Sequence, residues 1–272
     1  MTDHHFQIMH ESSKSGARIG KLKTAHGDIE TPVFMPVGTQ GTVKGLTSQQ
    51  LLELNTSILL ANTYHLYLRP GIDVIRAHNG LHSFMNWNGP ILTDSGGYQV
   101  FSLSKFTTIS KDGVAFRSHL SGDAHFFSPE KIVDLQLDYG SDIFMPLDIC
   151  SPKDRTYDGA AKDLNLTHSW ISRSTQQWSQ SSRSQLLFGI IQGGMFEKLR
   201  SESADYLANE NLPGYAIGGV SVGESKEDMY RITAHTTPLM PKHKPRYLMG
   251  IGLPEDITFA ISKGIDMFDC VA

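Results

Sequence analysis

Eight short apolar runs, each closed by a turn, alternate with helical signals along the chain, and that alternation leaves few folds open. The runs occupy residues 33–38, 57–62, 90–94, 143–148, 187–192, 214–219, 246–250 and 265–269. They are apolar at successive positions, as strands buried on both faces are, and such strands belong to parallel sheets covered by helices. Helix starts fall between them: Thr47 ahead of Leu51 and Leu52, Ser128-Pro129-Glu130 ahead of Ile132 and Val133, Ser225-Lys226-Glu227-Asp228, and Pro254-Glu255-Asp256-Ile257. Each places a hydroxyl cap, a proline at the first helical position or an early acid where a helix N-terminus needs it. Eight such units in 272 residues predict a single α/β domain over residues 1–272, a (β/α)8 TIM barrel, which typically takes about 250 residues. Two segments break the alternation and are predicted as antiparallel β-hairpins on the barrel: residues 6–31, turning at His26-Gly27-Asp28, and residues 107–127, turning at Lys111-Asp112-Gly113 and Ser121-Gly122-Asp123. A doubly wound sheet would carry a phosphate-binding fingerprint after its first strand, and Gly38-Thr39-Gln40-Gly41 is not one.

Composition bounds the class. A hydrophobic content of 39%, with 25 glycines and 12 prolines spread along the chain, excludes disordered and fibrous chains. The net charge of -4 neither demands nor forbids a nucleic-acid partner, since a local patch decides that. Cys150 and Cys270 are the only thiols and do not suggest a disulfide framework. Polar residues follow Met1, and no run approaches the ~18 apolar residues of a membrane span, so a cytoplasmic location without a membrane partner is expected.

Three runs end in aspartate: Leu92-Thr93-Asp94-Ser95-Gly96-Gly97, Phe144-Met145-Pro146-Leu147-Asp148 and Met267-Phe268-Asp269-Cys270. The C-terminal ends of barrel strands are where such folds hold their chemistry, and three carboxylates in one pocket would repel unless their tasks differ. Asp269 is the candidate nucleophile, because a partly desolvated carboxylate can attack an anomeric carbon; alone, it reads better as an acid tying down a chain end. Asp94, ahead of a Ser-Gly-Gly turn that lets main-chain amides approach a ligand, fits a catalytic acid and an Asx-type cap about equally. Asp148 and Gln192 read as a pair, an acid and an amide donor complementing guanine's two N–H donors and one carbonyl, with the Gly218-Gly219 backbone adding an N–H. Taken singly, Gln192 and the two glycines are bland turn residues. Tyr98 and Met249 offer surfaces that sandwich a base.

The ordered motifs Thr93-Asp94-Ser95-Gly96-Gly97-Tyr98-Gln99-Val100, Gly189-Ile190-Ile191-Gln192-Gly193-Gly194, Ile217-Gly218-Gly219-Val220-Ser221-Val222-Gly223-Glu224 and Met267-Phe268-Asp269-Cys270-Val271 together resemble the tRNA-guanine transglycosylases of bacterial type. The resemblance implies a barrel enzyme, a pentosyltransferase that exchanges the wobble guanine of tRNAs with Asp, Asn, His and Tyr anticodons for 7-aminomethyl-7-deazaguanine on the route to queuosine. Carried over by motif, Asp269 is the nucleophile that holds the ribose covalently and Asp94 the proton acceptor. Asp148, Gln192 and Gly219 recognise the base edge, Tyr98 and Met249 stack on it, and Ser95, Gly96, Gly97, Cys150, Gly218 and Val220 complete the substrate pocket. Cys150 and Val222 accompany the bacterial substrate, and Glu224 is near enough in sequence to help accept its aminomethyl cation. Gly250, Ile251, Gly252, Leu253, Pro254, Glu255 and Asp256 form the implied RNA-facing loop, in preference to the basic run Lys242, His243, Lys244 and Arg246. A non-catalytic member that only binds tRNA or base is the alternative; it would be expected to have lost Asp94 or Asp269.

Two departures from the family pattern stand out. Ile149 replaces a glutamate common in relatives, which puts the local charge of the pocket in question. Relatives also continue past Ala272 with a Pro-Thr-Arg stretch and a Cys-x-Cys-x-x-Cys and histidine zinc site. No metal ligand is therefore assigned within this sequence, and zinc is expected only with that further segment. On this reading the closing strand frays, the family's homodimer is doubtful, and the 272-residue chain binds tRNA weakly and turns over poorly or not at all.

Overall fold

The computed structural model describes residues 5–103 and 106–271; the opening residues 1–4 and Ala272, on which the expectations about the chain ends partly rest, lie outside them. Strands β1 (Phe6–Glu11), β2 (Arg18–Thr24) and β3 (Gly27–Thr31) pair antiparallel in that order. The predicted hairpin is thus a three-stranded sheet. The barrel strands follow. β4 (Val33–Pro36) leads to α1 (Ser48–Glu53) and β5 (Leu59–Asn62), after which come the short helices α2 (Thr63–Leu68), α3 (Ile72–Ala77) and α4 (Leu81–Met85). Next are β6 (Ile91–Asp94) and α5 (Gly97–Leu103), and then the insertion β7 (Thr107–Ser110), β8 (Gly113–Arg117) and β9 (Ala124–Phe127), again three antiparallel strands rather than one hairpin. The order continues with α6 (Pro129–Tyr139), β10 (Ile143–Phe144), α7 (Tyr157–Ser179), β11 (Leu186–Ile191), α8 (Glu197–Glu210), β12 (Gly214–Ile217), α9 (Lys226–Thr236), β13 (Arg246–Leu248), α10 (Pro254–Lys263) and β14 (Met267–Cys270).

The eight predicted runs form one parallel sheet in the order β4-β14-β13-β12-β11-β10-β6-β5. It curls until Val37 bridges Leu60, bringing β4 back to β5, so the architecture is the expected (β/α)8 barrel. The closing strand β14 is paired over four residues with β4 and on its other edge with β13. The predicted helix starts also form: Thr47 and Gln50 make a capping box, Ser128 accepts from the Lys131 N–H, Ser225 accepts from the Asp228 N–H, and Pro254 occupies the first turn of α10. β10 is cut to two residues because Pro146, with no N–H, cannot extend the ladder.

Strand alternation sorts the core into two populations. Met35, Leu60, Leu92, Ile143, Met145, Phe188, Ile190, Ala216, Tyr247 and Met267, drawn from β4 through β14, pack together as the barrel interior, joined by Phe6, Leu22 and Ile29 from the N-terminal sheet. Ile91, Phe144, Leu187, Ile217, Leu248 and Phe268 take the opposite parity and meet the helices. The N-terminal sheet therefore plugs the end of the barrel where the strands begin, leaving the other end open. Among the described residues no helix is long and apolar enough to cross a membrane.

Candidate active site

The same parity fixes which side chains reach the open mouth. Stepping by two from the interior residues Leu60, Leu92, Ile190, Ala216 and Met267 arrives at Asn62, Asp94, Gln192, Gly218 and Asp269, and all five line one cavity of about 440 Å³. Asp148 reaches it by a different route: after Pro146 the chain leaves the ladder, Leu147 turns to the helix layer, and Asp148 faces inward. The cavity collects every predicted substrate residue, from Asp94 to Tyr98 and then Asp148, Cys150, Gln192, Gly218, Gly219, Val220 and Met249, together with Asp269 and Val222. Tyr98 is 52% exposed and stands at the rim. Of the predicted RNA-facing residues 250–256 only Gly250 lines the cavity; Ile251 and Asp256 are buried, and Asp256 and Glu255 both pair with Lys226. The basic run precedes β13, at the opposite end of the barrel, where buried Arg246 donates to the carbonyls of Met240 and Gly264.

Each carboxylate has its own surroundings. Asp94 accepts hydrogen bonds from the Asn62 amide at 2.5 Å, the Thr63 N–H at 3.0 Å and the Gly96 N–H at 3.1 Å. Burial pushes its pKa up to about 7 against those donors, and the charge of nearby Asp269 pushes the same way. Gly96 makes the turn possible: its φ of +75° suits glycine, and a Cβ there would lie 2.6 Å from the Tyr64 nitrogen. Asp269 accepts from the Tyr247 hydroxyl at 2.5 Å and the Gly250 N–H at 2.8 Å; burial still raises its pKa above the usual carboxylate range. Asp148 accepts from Gln192 Nε2 at 2.7 Å, and burial lifts it to about 6. Gln192 Oε1 is buried without a hydrogen-bond partner. Burial pushes the Cys150 thiol up to about 12, so it stays protonated and serves as wall rather than nucleophile.

Sequence reading left out Asn62 and Tyr247, the donors that hold the two outer carboxylates. The signal was available, since both are polar groups at interior positions of otherwise apolar runs. Ile149 turns out to sit in the buried cluster with Leu147 and Trp170 and does not line the cavity, so its replacement of an acid leaves the charge of the cavity wall unchanged. Glu224 lies outside the cavity lining and is engaged by the main-chain N–H groups of Ser221 and Val222.

A β/α barrel whose open mouth gathers three carboxylates, Asp148 buried and Asp94 and Asp269 half-buried, around a single cavity defines a class: a barrel enzyme with its chemistry at the C-terminal ends of the strands. The comparisons give the family. The model for queuine tRNA-ribosyltransferase matches residues 12–272. The chain is 53% identical over 266 residues to the queuine tRNA-ribosyltransferase of Halothermothrix orenii, covering 98% of this chain and 71% of that protein. It is 51% identical over 267 residues to that of Dictyoglomus turgidum (98% and 69%) and 52% identical over 266 residues to that of Lysinibacillus sphaericus (98% and 70%). The chain belongs to the queuine tRNA-ribosyltransferase family, and with it to the transferases of tRNA modification.

The resemblance places the family's zinc ligands past residue 272, and among the described residues no set of cysteines and histidine of that kind comes together. Cys150 and Cys270 both line the cavity. Among the described residues one group of three, His26, His82 and Asp142, brings ligand-type atoms together. Its rings stack with centroids 3.5 Å apart, while His26 Nδ1 and His82 Nε2 lie 2.9 and 3.1 Å from the Asp142 carboxylate. Asp142 also accepts the His26 and Ile91 N–H groups. This is a satisfied hydrogen-bonded cap at the plugged end of the barrel, built from residues too far apart in sequence to form a motif.

Proposed function

We propose that this chain exchanges the wobble guanine of tRNA for 7-aminomethyl-7-deazaguanine through a covalent link between Asp269 and the ribose. The observation that carries the reading is the convergence of Asp94 and Asp269 on one cavity, with the Asp148–Gln192 pair in the same wall. Asp269 attacks C1′ of the flipped-out nucleotide and the C1′–N9 bond breaks, with guanine leaving on its electron pair. Tyr247 and the Gly250 N–H hold the carboxylate in line. Guanine then takes up a proton and departs. The incoming base gives its ring N–H proton to Asp94, whose pKa of about 7 lets it carry a proton in either direction near neutral pH, and the freed ring nitrogen attacks C1′ and releases Asp269. Two inversions give net retention at C1′.

Specificity follows from the walls. Asp148 accepts from the N–H groups of the base edge, which must share the carboxylate with Gln192. The Gln192 amide and the Gly219 N–H serve the base carbonyl, and Tyr98 and Met249 cover its faces. Cys150 and Val222 shape the side of the cavity toward the 7-substituent. RNA lies along residues 250–256, meeting exposed Leu253 and the glycine backbone, with the extruded base carrying the specificity.

The test is a single-turnover trap. Denaturing electrophoresis of the chain incubated with a guanine-containing anticodon stem-loop is expected to show a protein–RNA adduct that guanine discharges and that Asp269→Asn does not form. An adduct that persists in Asp269→Asn, or none with the unaltered chain, sinks the mechanism.

A further inference from the structure

Arg200 is the most deeply buried cation in the described structure, 0% exposed, and its four hydrogen bonds all go to main-chain carbonyls. Its Nε donates to Gly194 at 2.9 Å, one terminal nitrogen to Ile191 at 2.8 Å and Gly218 at 2.6 Å, and the other to Gly219 at 3.2 Å. Burying a guanidinium without a paired carboxylate is costly, and an Arg kept for packing alone would be replaceable by an apolar side chain. The four carbonyls belong to two adjacent strand ends, β11 and β12, and those ends carry Gln192 and Gly219. One turn along α8, Ser203 accepts the Gln192 N–H at 3.2 Å. One face of α8 thus ties down the backbone on both sides of the candidate base-edge groups.

We propose that Arg200 is a positioning residue for base recognition, setting the Gly218–Gly219 peptide so that its N–H, and not its carbonyl, faces the cavity. The argument rests on the base-exchange reading above and on peptide geometry. In a trans peptide the C=O and N–H point in opposite directions. Arg200 draws the Gly218 carbonyl back toward α8, so the Gly219 N–H points to the other side, where Gly219 lines the cavity. Only glycine lets this peptide sit so close to Gln192: a Cβ at Gly219 would fall 2.4 Å from Gln192 Oε1. Lysine cannot replace the clamp, because a single ammonium cannot span four carbonyls as a planar fork does. Without the clamp the peptide is free to turn its carbonyl into the cavity, which would accept a hydrogen bond from a 6-amino group and repel a 6-oxo group.

Guanine and 2,6-diaminopurine share the 2-amino group but differ at C6 and at N1, whose proton in guanine faces Asp148 in every variant, so it is the change in their relative affinity on altering Arg200 that reads the orientation of the peptide. Equilibrium binding of each free base to the 272-residue chain, followed by titration calorimetry, is expected to show a preference for guanine that falls at least tenfold in both Arg200→Lys and Arg200→Gln, in samples whose folding is confirmed by circular dichroism. Variants that fold and keep the preference overturn the proposal. So does failure of both to fold, since the guanidinium would then serve the fold as a whole. If the unaltered chain shows no preference for guanine, the base-exchange reading itself fails and this inference with it.

Discussion

Burial makes acids of the cavity weaker than free carboxyls, and the consequence for pH is specific. The native state holds a proton on Asp94 up to about pH 7, whereas in the unfolded chain the carboxyl titrates near pH 4. The protonated form is the one folding favours, so the stability linked to Asp94 is complete below about pH 4 and is lost as pH rises through about 7, by at most about 4 kcal/mol. Asp148, lifted to about 6, acts in the same direction. Asp94→Asn is therefore expected to unfold at a higher temperature than the unaltered chain at pH 8, by several degrees, and at nearly the same temperature at pH 4; thermal melts across that range would refute this if the gap were constant. Asp269 makes a second residue-scale case. Its bond from Tyr247 stabilises the ionised form, and a charged hydrogen bond of this kind contributes about 1.5–3 kcal/mol. Tyr247→Phe should slow adduct formation roughly 10- to 100-fold at pH 7 and lose less at pH 9, where the carboxylate ionises unaided. A flat rate ratio between those pH values would argue that Tyr247 only fills space.

At the scale of elements, period two carries most of what the sequence could say. Every barrel strand falls on one of the mainly apolar runs, and counting by twos from the interior residues Leu60, Leu92, Ile190, Ala216 and Met267 lands on Asn62, Asp94, Gln192, Gly218 and Asp269 at the mouth. The count fails after Pro146, where the ladder stops and Asp148 is aimed by a loop; it was legible as the aspartate that closes its run and through its pairing with Gln192. The length of α7, 23 residues from Tyr157, was also not read, because its polar face is nearly continuous and Thr156, its cap, sits in an unremarkable polar stretch. The two sheets outside the barrel were legible from their turns rather than from strand patterns, since strands such as Thr107–Ser110 carry no apolar alternation and are held by pairing with a better neighbour. Helix starts were legible because caps act locally. Ser128 accepts the Lys131 N–H at 3.2 Å, and Ser128→Ala should cost about 1 kcal/mol, seen as a lower midpoint in urea, with guanine affinity unchanged because α6 supplies no cavity wall. A loss of guanine affinity would mean that loosening the start of α6 reaches the mouth through Gln136, which accepts from the Thr93 hydroxyl and donates to the Met145 carbonyl.

For the molecule as a whole, the plugged end and the open end are joined through β14. Arg18 on β2 forms a two-pronged ion pair with Asp266, at 2.9 and 2.5 Å, both side chains almost wholly buried, and also donates to the carbonyls of Lys242 and Lys244. Asp266 in turn accepts the Arg246 N–H at 2.7 Å. It immediately precedes β14, which carries Asp269, so the N-terminal sheet anchors the start of the same short segment that holds the candidate nucleophile. Breaking one side of a buried pair costs about 3–5 kcal/mol because the remaining charge is left unpaired. Arg18→Met should therefore lower the unfolding midpoint sharply. Double replacement, Arg18→Met with Asp266→Leu, removes both charges and should recover much of that loss. Adduct formation gives the functional readout: if β14 is registered from its base, the single variant should lose adduct yield beyond its loss of folded protein and the double variant should regain it. Equal specific yields in all three proteins would show that the pairing of β14 with β4 and β13 alone sets the position of Asp269.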